Sequence, residues 1–284
     1  MSLLEAILLG IIQGLTEFLP VSSSGHLELG KSLLGIEATS DVTFTVVVHG
    51  ATVLSTIVVF HRDIFDLIKG VLQFRWNEPT DYAVKILISA IPVVAIGLLF
   101  KEEIESLFSN NVLLVGCMLL ITGGLLAFTY YAPHEGMEVG KSKAFLIGIA
   151  QAFAVLPGIS RSGSTIAVAL LLGVDKKKAA RFSFLMVLIP IIGANAKDIL
   201  DGGLASSSVS TIPLLVGFFA AFIFGVLACQ WMIAIVTRGK LIHFAYYCGI
   251  VGLVSIAAHF ISVSYTHLRA HETVLDLVCR LLLE

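Results

Sequence analysis

Charge is what this chain has least of. Asp, Glu, Lys and Arg make up 13% of its 284 residues, against roughly 25% in ordinary soluble domains. A globule clothed so thinly would not stay in water, and a mean hydropathy of +0.96 agrees. With 57% hydrophobic residues, disorder is excluded as well. Cysteines number only four, and Cys117, Cys229 and Cys248 lie in apolar runs, so no disulfide framework is suggested. No Lys or Arg precedes Lys31, and Glu5 interrupts the first apolar run. The basic start of a cleaved signal peptide is therefore missing, and residues 1–20 read as mature protein. A net charge of -2 offers nothing to nucleic acid. What remains is an integral membrane protein, whose spans are helices because lipid leaves open backbone no other partner.

Six segments are long and apolar enough to cross a bilayer, at about 42–60, 82–100, 112–131, 182–200, 212–236 and 243–262. Two further apolar stretches are too short or too broken. Residues 3–19 run into Pro20 and Ser22-Ser23-Ser24-Gly25, and residues 144–156 run into Pro157, Gly158 and Ser160-Arg161-Ser162-Gly163. Such runs fit re-entrant hairpins, returning through 27–34 and 165–172. Positive charge then sets orientation. Segments 61–85, 132–143, 175–181 and 237–242 carry twelve Lys and Arg residues, whereas 21–41, 101–111 and 197–211 carry only Lys31, Lys101 and Lys197. The first group is expected in the cytoplasm, with both chain ends outside.

The two hairpins are related. Gly10-Ile11-Ile12-Gln13 aligns with Gly148-Ile149-Ala150-Gln151, and without gaps Ser22-Ser23-Ser24-Gly25 falls on Ser160-Arg161-Ser162-Gly163. Pro92 and Pro190 sit in a second, shorter echo. Each half reads hairpin, span, span, span, so the second half, about 144–262, is expected to be inverted relative to the first, about 1–131. Inverted repeats with broken helices are a transporter architecture, with the site at the repeat interface. The expected fold is all-α, with six transmembrane helices and two re-entrant hairpins in one membrane-embedded domain over 1–262.

Ionisable groups at membrane depth are costly and mark function. Glu17 sits before the first break, one turn after Gln13. It is a hard oxygen ligand for Mg²⁺ or Ca²⁺, or a general base. His26 can move a proton or attack phosphorus. Arg161 offers a fork that matches phosphate oxygens, with a structural pair to Glu17 as its plainer reading. Gln151 lies nearby. The turns Ser22–Ser24 and Ser160–Ser164 supply hydroxyls and N–H groups, and Thr165 is expected to open a helix whose N-terminus favours an anion. Gln13 and Gln151 read equally well as interhelical glue, and Gly10 and Gly14 as packing. His49 reads as packing or a second contact behind the site. Together the set suggests a buried phosphate site.

These residues carry a resemblance. The run from Gln13 through Glu17 and Ser22-Ser23-Ser24-Gly25 to His26, and that from Pro157 through Arg161 to Thr165, resemble the two signature motifs of the bacterial undecaprenyl-diphosphatases, also called bacitracin-resistance proteins. The resemblance spans about 1–262. It implies a plasma-membrane enzyme that hydrolyses undecaprenyl diphosphate to the monophosphate and inorganic phosphate. That reaction recycles the lipid carrier of peptidoglycan synthesis and confers bacitracin resistance. The resemblance also implies a divalent metal, a pocket facing outward, and catalytic roles for Glu17, Ser23, His26 and Arg161. Gln13 stands where many members carry Glu, which leaves the metal to Glu17. The nucleophile stays open between His26, Ser23 and water. Expected partners are the lipid substrate, membrane lipids and a second copy of the chain, but no nucleic acid. The alternative is a secondary transporter or lipid flippase. Residues 263–284 depart from this pattern and resemble a translated sequencing-adapter fragment, so they are expected to be a non-native tail.

Overall fold

The computed structural model describes residues 1–35, 42–107, 111–133, 135–200 and 210–281, with backbone alone at 42, 101, 105, 198–200 and 262–281. Among the described residues the chain is helical, without a β-strand, and five helices are long and apolar enough to cross a membrane. A sixth candidate is the bent pair 43–59 and 61–71.

The first hairpin is α1 (Leu3–Phe18) and α2 (Ser23–Leu34). Glu5, an odd residue in an apolar run, completes a capping box with Ser2 at the start of α1. The second hairpin is α8 (Lys141–Phe153) and α9 (Arg161–Leu171). Its return helix therefore opens at Arg161, one turn before Thr165, because the Ser160 hydroxyl already accepts from the Gly163 N–H. α2 likewise opens at Ser23, with Ser22 as cap.

Between the hairpins run α3 (Val42–Val59), α4 (His61–Val71), α5 (Glu78–Leu99), α6 (Lys101–Ser106) and α7 (Val112–Phe128). The expected span 42–60 does not stop at a loop but turns by 78° into α4. Ile64 and Leu67 of α4 face the core while Phe65, Ile68 and Leu72 stay exposed, the pattern of a helix lying in the membrane interface. After the second hairpin come α10 (Lys176–Met186), α11 (Leu188–Leu200), α12 (Thr211–Thr237) and α13 (Ile242–Leu281). The span expected at 182–200 begins at Lys176, since Asp175 caps α10 and pulls Lys176, Lys177 and Lys178 into its first turn. The last span covers Ile242–Ile261, and the backbone of α13 continues helically into the tail.

In lipid, small residues bring helices together and large ones face the hydrocarbon. α12 shows both stripes. Leu215, Phe219, Ile223 and Leu227 are exposed, while Gly217, Ala221 and Gly225 are buried. α1 packs along that buried stripe, and a Cβ on Gly10 would come 2.5 Å from the Gly217 carbonyl oxygen. α8 packs along α5 in the same way, where a Cβ on Gly148 would collide with the Ser89 backbone. α7 pairs with α13, and α3 with α11 and α12. Each hairpin thus lies on the middle span of the other half. Pro92 in α5 and Pro190 in α11 occupy the second and first spans of their halves, so that shorter echo joins positions that do not correspond.

Ion pairs gather the Lys- and Arg-rich segments at one end. Arg181 pairs with Asp63 at 2.6 Å, Lys178 pairs with Glu138, and Lys141 stands 4.0 Å from Asp81.

Candidate functional site

The two hairpins bring their breaks together. Ser22 and Ser160 make the same cap: each accepts from the glycine N–H three residues on, Gly25 at 3.3 Å and Gly163 at 3.1 Å. Each also lies 3.3 Å from the hydroxyl two residues on, Ser24 or Ser162. Ser22 pays for its position with a left-handed backbone, φ 69°. The caps leave the first N–H groups of α2 and α9 at the break, where an anion is favoured.

Glu17 occupies the centre. Its Oε1 accepts from Arg161 Nη2 at 2.5 Å, joining the hairpins across 144 residues. Its Oε2 accepts from Ser23 Oγ at 2.6 Å and from Gln13 Nε2 at 3.1 Å. A carboxylate at 8% exposure needs this many donors to remain charged in a dry site. The structural pair with Glu17 is therefore real, yet it does not exhaust the guanidinium: Arg161 Nη1 is buried without a hydrogen-bond partner. Gln13 Oε1 and both amide atoms of Gln151 are orphaned as well. Buried polar atoms are seldom left so, and their concentration here marks space for a polar guest.

That space is a cavity of about 560 Å³. Glu17, Ser23, Ser24, Gln151, Ser160 and Arg161 line it, with apolar walls from Leu27, Val93, Val155 and Ile191. His49 lines it too. The carbonyl of Thr45, 2.8 Å away, holds the ring proton on Nδ1, so Nε2 faces Glu17 Oε2 at 3.9 Å. Sequence alone reads His49 as packing or a second contact; the signal that could have placed it is the polar stripe Thr45, His49, Thr52 and Thr56, spaced for one helical face, whose last two members are buried.

Other expected residues stand apart from the cavity lining. His26 is one: its Nδ1 donates to the Ser22 carbonyl at 2.9 Å and its Nε2 lies 2.8 Å from the Tyr247 hydroxyl, with the two rings stacked. Ser162 donates to the Leu19 carbonyl, and Thr165 binds the Arg161 carbonyl and Ser183. Ser164 Oγ is buried without a partner. These serve the turn and its packing. Among the described residues no group of three His, Cys, Asp or Glu side chains could hold a metal.

Comparison with known proteins decides the family. The model of the bacitracin resistance protein BacA matches residues 6–254. The chain belongs to the bacitracin resistance protein family. Several similar proteins carry the name undecaprenyl-diphosphatase. That of Christiangramia forsetii is 55% identical over 258 residues, covering 90% of this chain and 98% of the relative. That of Bacteroides fragilis is 53% identical over 256 residues, covering 89% and 96%. A more distant one, from Salinibacter ruber, is 40% identical over 263 residues, covering 87% and 96%. In this bacitracin resistance family member both break turns fall inside the matched region.

Proposed function

We propose that the protein hydrolyses undecaprenyl diphosphate to undecaprenyl phosphate and inorganic phosphate, recycling the lipid carrier for peptidoglycan synthesis and giving bacitracin resistance. The observation that carries this reading is the Glu17–Arg161–Ser23 constellation, set between two helix N-termini with unspent donors beside the cavity. The relatives' shared name is that of a hydrolase, and nothing in it favours the carrier alternative.

The chemistry follows from the contacts. The terminal phosphate takes Arg161, whose free Nη1 and paired Nη2 suit two phosphate oxygens. The N-termini of α2 and α9, Ser24, Ser160 and the Gln151 amide supply further donors. Glu17, relieved of its strongest donor, accepts the Ser23 proton along the 2.6 Å contact. Ser23 Oγ then bonds to the terminal phosphorus as the bridging P–O bond breaks, and undecaprenyl phosphate leaves with the proton held by Glu17. Glu17, again a carboxylate, takes a proton from the water that attacks the phosphoserine and returns it to Ser23 Oγ as inorganic phosphate departs. His26 is turned to Tyr247, which favours Ser23 over His26 as nucleophile. A divalent ion fits this site in part: Glu17, Ser23 and the orphaned Gln13 Oε1 are hard oxygens, and Mg²⁺ commonly takes one carboxylate and completes its shell with water and substrate phosphate. Such an ion would neutralise the diphosphate charge. The isoprenoid chain would leave between apolar helices.

The finer architecture belongs to the same reading: six spans and two re-entrant hairpins in inverted repeats, within one domain over 1–262 and with 263–284 as a foreign tail. The reciprocal packing of α1 on α12 and α8 on α5 supports it, as do the twin serine caps. Orientation follows the charges, whose cytoplasmic group meets at one end through Arg181–Asp63 and Lys178–Glu138. The cavity runs from Glu17 towards Lys31, Thr45 and Asn195, which border the linkers assigned to the outside. The site would therefore open outward in the bacterial plasma membrane.

Detergent-purified protein given undecaprenyl diphosphate should release inorganic phosphate; none released in the presence of Mg²⁺ or Ca²⁺ would overturn the reading. For orientation, an impermeant thiol reagent added to intact cells should label Ser2→Cys and spare Lys177→Cys. The reverse pattern would place the cavity on the cytoplasmic side.

A further inference from the structure

Lys31 looks like a loop lysine in the sequence, yet it forms part of the cavity wall. α2 carries Ser23, Leu27 and Lys31 at intervals of four residues, hence on one face, and all three line the cavity. Lys31 therefore lies about 12 Å along the helix from Ser23, at the end away from Glu17, beside Thr45. Only 6% of it is exposed. An ammonium brings three donors, and burying it is costly unless they are used. Among the described residues Nζ makes one long hydrogen bond, 3.3 Å to Thr45 Oγ1, and stands 3.9 Å from Glu28 Oε1. A closed ion pair would come to about 2.8 Å. The lysine is thus desolvated, held in place and under-used, with its remaining donors beside the cavity.

We propose that Lys31, with Thr45, forms a second phosphate subsite at the far end of the cavity. It holds a phosphate group on its way to or from Arg161. This rests on the hydrolase reading and adds a station to it. Phosphate oxygens match the unspent ammonium donors, and Lys binds phosphate as a point charge without demanding one geometry. Glu28 alongside keeps the hold weak, as a transit site requires. Two sources share this chemistry, the headgroup of an arriving lipid diphosphate and the inorganic phosphate that departs.

The test uses the full chain in detergent, measuring phosphate release from undecaprenyl diphosphate with inorganic phosphate added as inhibitor. Lys31→Met should raise KM for the lipid, the inhibition constant for phosphate, or both, by about tenfold, the scale of one charge-assisted hydrogen bond. A rise in KM alone assigns the subsite to the headgroup, and a rise in the phosphate constant alone assigns it to the product. Glu28→Gln removes the competing carboxylate and should lower the same constant. If neither constant moves in Lys31→Met, or if Glu28→Gln fails to lower either, the subsite is overturned, because a merely structural pair gains nothing from losing one partner. Should Lys31→Met lose its thermal transition, Glu28→Gln decides alone. Should the wild type release no phosphate, the hydrolase reading falls instead. The subsite is then judged by whether inorganic phosphate stabilises the wild type against heat and not Lys31→Met.

Discussion

The two hairpins share a frame, and two of the positions where they differ set the charges of the cavity. Gln13 corresponds to Gln151, Ser22 to Ser160, Ser24 to Ser162 and Gly25 to Gly163; these cap the return helices or line the break in both halves. Glu17 corresponds to Val155, and Ser23 to Arg161. One hairpin therefore supplies the carboxylate and the hydroxyl, the other the cation. Matching residues cap the helices and add neutral donors to the cavity, and the mismatched pair brings its opposite charges. A pair of charges contributed by separate halves also forces the halves to dock before either charge is satisfied.

Six substitutions bear on that comparison. The largest effect is expected from Glu17→Gln, which keeps shape and removes the charge that the first hairpin alone possesses. kcat/KM should fall by about 10³-fold, roughly 4 kcal/mol of transition-state stabilisation, and excess Mg²⁺ should restore little. Retained metal-dependent turnover would remove Glu17 from its central role. Arg161→Lys keeps the charge of the second hairpin but loses the fork, and about 10²-fold should go, near 3 kcal/mol. Near-normal kinetics would reduce the arginine to a point charge. The shared positions predict a matched loss of stability instead. Gly10→Ala and Gly148→Ala each force a methyl against the opposing backbone and should each cost about 1–3 kcal/mol in thermal unfolding. Gly97→Ala, where a Cβ meets nothing within 4 Å, should cost nothing measurable. A loss at only one of the two crossings would break their equivalence. The smallest change is expected from Gln13→Glu, which keeps the side chain's shape and its acceptor oxygen; activity should stay within about threefold, near 0.6 kcal/mol.

What could be read from residues alone was whatever depends on local chemistry. The Gly-Gln spacing exposes the repeat and Ser-x-Ser-Gly marks its turns, although the helix expected from Thr165 already opens at Arg161 because the Ser160 hydroxyl caps its own turn. Run length and charge located the membrane helices to within a turn or so. What stayed hidden was rotational setting. His49 and Lys31 reach the cavity, and His26 turns to Tyr247, because neighbouring helices fix which face looks inward. On α3 the stripe Thr45, His49, Thr52 and Thr56 does record the inward face, but it does not say which helix that face meets. The 78° turn after Val59 was missed for a related reason: the polar residues His61, Arg62 and Asp63 look like a loop, although with Ile64, Phe65 and Ile68 they form an amphipathic turn.

The bond between Glu17 and Arg161 sets a schedule for biogenesis. The carboxylate leaves the ribosome 144 residues before its partner, roughly 7–30 s at ordinary elongation rates, and the α12 surface that receives α1 is made later still. A bare carboxylate has no place in hydrocarbon during that interval. The first hairpin to be synthesised must therefore wait near the lipid–water boundary and seat last, so the catalytic cavity closes only when the chain is almost complete, and a prematurely terminated chain carries no working fragment of it.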